Sequence, residues 1–195
     1  KLWIPKHPKW RKEMKLSVTA YHNMSTQDLK HISNYILAVT KDCGATDYDT
    51  MFTFPKDRCN LSENKLKTKI KPKGLVDTDI KQKSNPESIC WISSSTRATN
   101  KFKHKKCVIH AYDRYPNQSV SSYLQDFNFP VDRDVFAISE MLQWIWRSRI
   151  RDNRSIDLAI LSPRMQLLFL NWLHDLPLSN EDYTLFSSYL NWCKM

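Results

Sequence analysis

Apolar residues recur at helical spacing between Ser25 and Thr40, where Leu29, Ile32, Ile36 and Val39 share one side. Ser25 or Thr26 stands where a helix cap belongs. Ahead of this helix, residues 1–15 form a basic, aromatic stretch with two prolines that reads as an extended arm. Short apolar runs then appear at Met51–Phe54, Ile89–Ile92, Lys106–Tyr112 and Ile156–Leu161. Near-continuous runs of this length suit strands covered on both faces, as in parallel sheets. A second periodic stretch predicts a helix from about Asp132 to Asp152, with aspartates at its start and arginines at its end, as the helix dipole favours. Ser162-Pro163 starts another helix, and Ser179 with Asp182 three residues on starts a last one. Strands alternating with helices predict an α/β fold, a parallel sheet flanked by helices.

The polar middle of the chain divides this pattern. KLKTKIKPK, Lys65 to Lys73, carries five lysines in nine residues and reads as a solvated insert. Residues 1–85 are therefore an N-terminal helix with a polar basic segment, partly belonging to the same domain, and 86–195 hold the main α/β half.

The predicted helix 132–152 can be laid out at about 100° per residue. Val135, Ile138, Leu142, Ile145 and Trp146 then share one sector, expected to be core, while Glu140, Gln143, Arg147 and Arg151 form a polar stripe opposite.

Composition narrows the chemistry. Among 195 residues, 30 Lys+Arg against 20 Asp+Glu give a formal charge of +10, which favours an anionic partner. Seven tryptophans and 41% apolar residues are enough to fill a core. Only two glycines occur, Gly44 and Gly74, so neither a Walker A loop nor a three-glycine dinucleotide turn can exist here. Five cysteines, odd in number and without a C-x-x-C pair, suit a reduced, cytoplasmic chain. No apolar run approaches the length of a membrane span and no secretory core opens the chain, so no membrane partner is expected. A chain that begins without Met is expected to be a fragment of a longer protein. His104, Cys107 and His110 do not make a metal site, because on a strand Cys107 points away from the other two.

Two segments carry a resemblance. Ser93 to Arg114 (SSSTRATNKFKHKKCVIHAYDR) and Glu140 to Arg151 (EMLQWIWRSRIR) resemble the second RecA-like domain of superfamily 2 helicases, in the divergent form found in phages and mobile elements. In that family a Thr-containing turn after a buried strand forms the fifth motif, and a helix carries the sixth, Gln-x-x-Gly-Arg-x-x-Arg. Trp146 stands where the sixth motif has Gly, Ile150 where it has its final Arg, and the Gly-Asp of the fifth motif is missing.

The resemblance implies a RecA-like domain serving a nucleic-acid-dependent ATPase or helicase, a hydrolase of the bacterial host cell if phage-encoded. Arg147, with Arg151 second and Gln143 as hydrogen-bonding partner, would be the catalytic group, reaching ATP and Mg2+ held on an upstream RecA-like domain. An arginine suits that role because its charged planar fork contacts phosphate oxygens at two points. Arg97, Thr99, Asn100, Lys101, Lys103 and Lys105 would contact the backbone of DNA or RNA. Alone, without a P-loop, the chain is expected to hydrolyse nothing. The alternatives are a non-catalytic nucleic-acid-binding accessory protein, descended from the same domain, and a protein–protein adaptor using the Trp-rich terminal helices.

Overall fold

The computed structural model describes residues 2–3, 15–58, 69–75, 86–96 and 99–175. In chain order they form β1 (Leu2–Trp3), α1 (Val18–Asn23), α2 (Thr26–Asp42), β2 (Thr50–Thr53), β3 (Cys107–His110), α3 (Gln118–Asp126), α4 (Arg133–Ile145), β4 (Asp157–Ile160) and α5 (Pro163–His174). All four strands are parallel, in the order β1-β4-β3-β2. The ladder continues beyond β2, where Phe52 pairs with Trp91, Phe52 N–H donates to Cys90 O and Ile92 N–H to Phe52 O. The run at 89–92 thus joins the sheet through bridges rather than as a full strand.

Side chains alternate across the sheet, as the period of two requires. Phe52, Cys107, Ile109 and Ala159 face the layer holding α2, packed with Leu29, Ile32, Ile36 and Val39. Met51, Val108, Leu158 and Ile160 face the opposite layer, packed with Ala137, Met141 and Trp144 of α4 and Met165 and Phe169 of α5. Helices on both faces of a parallel sheet make a Rossmann-like α/β fold. β1, α2 and β2, from the first 85 residues, share this sheet and core with β3 and β4. Among the described residues no helix is long and apolar enough to cross a membrane.

The structure corrects several expectations. Leu2 and Trp3 are not arm but a strand, paired with Leu158 and Ala159. Helix α3 was not anticipated: Asn117 caps it, yet none of its residues is buried, and Val120, Tyr123 and nearby Phe127 stay exposed. It has too little contact with the core for the chain pattern to announce it. The helix expected over 132–152 ends at Ile145, and a separate 3-10 turn spans Arg149–Asp152. The helix expected from Ser179 lies outside the described residues.

Helix α4 is also rotated by roughly a quarter-turn from the expected face. Its buried residues are Ala137, Glu140, Met141, Trp144 and Ile145, while Val135 and Trp146 are exposed. Apolar side chains nearly encircle this helix, so spacing alone underdetermines its orientation. Two polar contacts settle it. The Trp144 indole N–H donates to Ile92 O at 3.2 Å, and Glu140 pairs with Arg114 at 3.2 Å.

Candidate nucleic-acid interface

In open parallel sheets, ligands usually sit beyond the carboxyl ends of the strands, where the winding reverses. That point lies between β2 and β3, since the chain leaves β2 towards the Trp91 bridge and leaves β3 towards β4. Here the protein fills the position itself. Asp113 and Leu16 exchange hydrogen bonds, Asp113 N–H to Leu16 O at 2.9 Å and Leu16 N–H to Asp113 Oδ2 at 3.4 Å. The Tyr21 hydroxyl donates to Ala111 O at 2.6 Å, and Arg58 donates to Tyr21 O.

The charges at this end are met by one another. Ser162 donates to Asp113 Oδ1 at 2.7 Å, Arg114 donates to Ser94 Oγ at 2.7 Å besides pairing with Glu140, and Arg164 pairs with Asp134 at 2.6 Å. Beneath them lie His110 and Thr53, neighbours in register and fully buried. Neither the imidazole nitrogens nor the Thr53 hydroxyl has a hydrogen-bond partner among the described residues. Burial first, and the nearby Arg114 charge second, push the His110 pKa down to about 3. The ring is neutral near neutral pH.

The amino ends of the strands are built differently. Residues 99–106 lead into β3 and residues 146–155 lead into β4. Together they hold four lysines and four arginines against one carboxylate, Asp152. The two connections are joined directly: Arg149 N–H donates to Lys105 O at 3.1 Å, and Lys103 Nζ pairs with Asp152 at 3.0 Å. Arg149 Nε donates to Ser155 O, and Lys106 Nζ to Gly44 O at 3.1 Å. Lys101, Arg151 and Arg154 are exposed. Cations fixed in this way can meet a row of phosphates without reading base sequence.

The residues singled out from sequence divide between surface and interior. Gln143 is exposed on α4, and Arg151 is exposed in the 3-10 turn. Arg147 follows the end of α4 with only 6% of its surface exposed, so it is not part of an outward stripe. Lys105 is fully buried; its ammonium donates to Asp47 O at 3.0 Å, and burial lowers its pKa to about 8. It holds the loop before β2 rather than facing solvent. The Thr99 hydroxyl accepts from Lys101 N–H at 3.3 Å, and Asn100 is exposed beside it, its carbonyl accepting from Lys103 N–H. Arg97 lies outside the described residues. The two segments chosen by resemblance are therefore brought together at both ends of the sheet, Arg149 against Lys105 at the amino end and Glu140 against Arg114 at the carboxyl end. What sequence reasoning missed is the exposure of Trp146, which the helical layout had assigned to the core side.

Comparison with known proteins places residues 5–173 in the family described as the YonV C-terminal Rossmann-like domain. The SPbeta prophage-derived uncharacterized protein YonV of Bacillus subtilis (strain 168) is 34% identical over 85 residues, which is 44% of this chain and 21% of that protein. The match spans about a fifth of the relative's length. No solved structure matches the chain.

Proposed function

This chain belongs to the family of YonV C-terminal Rossmann-like domains, and from that premise we propose that it is a nucleic-acid-binding module that grips the sugar-phosphate backbone through the amino end of its sheet. The meeting of residues 99–106 with 146–155 carries this reading, because with Lys105 and Arg147 turned inward it still leaves Lys101, Arg151 and Arg154 exposed on adjoining loops, beside half-buried Lys103, Lys106 and Arg149. The occupied carboxyl end supports it by leaving the usual Rossmann-like ligand position filled by Leu16 and Tyr21.

The test is fluorescence anisotropy with labelled DNA and RNA oligonucleotides over a salt series. Log affinity should fall linearly with log salt, by about 0.7–0.9 per phosphate contacted. Arg151→Glu with Arg154→Glu should weaken binding at every sequence and flatten that slope by about one to two contacts. Binding that ignores both salt and these substitutions would refute the reading.

A second, finer reading makes the chain one RecA-like half of a nucleic-acid-dependent ATPase, with ATP and Mg2+ on another domain and Arg147 acting on the phosphate. It is favoured by the same contact between the two resembling segments, and it requires Arg147 to leave its buried position. Arginines in that role accelerate phosphoryl transfer by roughly 10³–10⁵. In a longer protein containing this domain, Arg147→Ala should then abolish nucleic-acid-stimulated ATP hydrolysis while oligonucleotide binding persists. Unchanged hydrolysis would leave the binding module alone.

A further inference from the structure

We propose that Trp146 is the base-stacking residue of the basic surface and makes it selective for single strands; the inference rests on the backbone-binding reading above. Four tryptophan side chains are described. Trp144 is buried, Trp91 and Trp172 are partly buried, and Trp146 alone is exposed, at 51%. Trp91 and Trp144 also spend their indole N–H groups on backbone carbonyls.

The backbone under Trp146 is fixed. Its N–H donates to Leu142 O at 2.9 Å as α4 ends, Arg147 N–H donates to Trp144 O at 3.1 Å, and the Ser148 hydroxyl donates to Ile145 O at 2.7 Å. An indole left half in water on a rigid support forgoes a large burial gain. It also opens the connection that carries Arg149, Arg151 and Arg154. Cations that follow a phosphate backbone, combined with an aromatic face on which a base can lie, make a sequence-tolerant single-strand site. In a duplex the base faces are already stacked on one another, so the same surface offers it only charge.

The experiment compares a fluorescein-labelled oligo(dT) single strand with a blunt duplex of equal length, using the whole chain. Trp146→Ala should weaken single-strand binding by roughly 5-fold to 150-fold, the range expected for one lost stacking contact. Duplex binding should stay within about 2-fold, since phosphate contacts are untouched. Trp146→Phe should keep most of the single-strand affinity, and Arg151→Glu with Arg154→Glu should weaken both ligands together. An unchanged near-ultraviolet circular dichroism spectrum shows that the alanine variant is folded. Equal loss on both ligands, or no loss on either, overturns the assignment of Trp146 and leaves the backbone-binding reading standing. Wild-type protein that binds neither ligand at low salt overturns both. A tryptophan reserved for a protein partner would appear as oligonucleotide binding indifferent to Trp146→Ala.

Discussion

His110 sits at the end of β3 with no hydrogen-bond partner on either ring nitrogen among the described residues, its ring centre 5.5 Å from that of Trp144 and the two rings steeply inclined. An unfolded histidine titrates near 6.5, whereas this one has its pKa lowered to about 3. The unfolded chain therefore binds more protons between those values, and stability contributed by neutral His110 is lost as pH falls from about 6.5 towards 3. The slope is at most about 1.4 kcal/mol per pH unit. Urea denaturation at pH 7 and pH 4.5 should show that loss, and His110→Phe, which keeps an aromatic ring against Trp144, should reduce it. An unaltered pH dependence in the variant would show that His110 is not the titrating group. At this scale the sequence was partly legible. Ile145 was expected in the core and is buried there. The burial of Lys105 and Arg147 was not, because nothing in a basic run shows which cation folds inward.

At the scale of elements, local chemistry announced α2 clearly. Ser25 and Asp28 form a reciprocal capping box, and the four spaced apolar residues are buried as expected. Ser25→Ala should remove about 1 kcal/mol of stability, measurable by chemical denaturation. Strands β3 and β4 likewise fell within the apolar runs, and β2 is shifted by one residue from its run. The orientation of α4 was not legible, because its buried acid is recognised only through Arg114, far away in sequence. Removing one partner of such a pair strands a charge with few contacts to water. Glu140→Ala should therefore cost about 3 kcal/mol or more, and adding Arg114→Leu should recover much of it. Simple addition of the two effects in denaturation experiments would deny the coupling.

For the whole molecule, the net charge of +10 is not spread evenly. Among the described residues, a cluster of cations stands where two connections meet at the amino ends of β3 and β4, while the carboxyl ends neutralise their charges internally. Composition foretold an anionic partner but not this location, which depends on parallel strands bringing residues near 101 and 151 side by side. An oligonucleotide that binds only the folded state should raise the thermal midpoint with concentration, by about 2.7 kcal/mol of stabilisation at 100 times the dissociation constant. An unmoved midpoint at saturation would contradict binding to the native fold.

The pairing of Leu2 with Leu158 and Trp3 with Ala159 sets a schedule for assembly. Residues 2 and 3 leave the ribosome long before their partners exist, and must wait while β2, β3 and β4 are made. Closing so long a loop for two residues of edge strand is entropically unrewarding until the rest of the sheet is in place. β1 should therefore be the last strand to dock and the first to detach. Its amides should exchange with deuterium ahead of those in β3, giving the sheet one border that opens without unfolding the core.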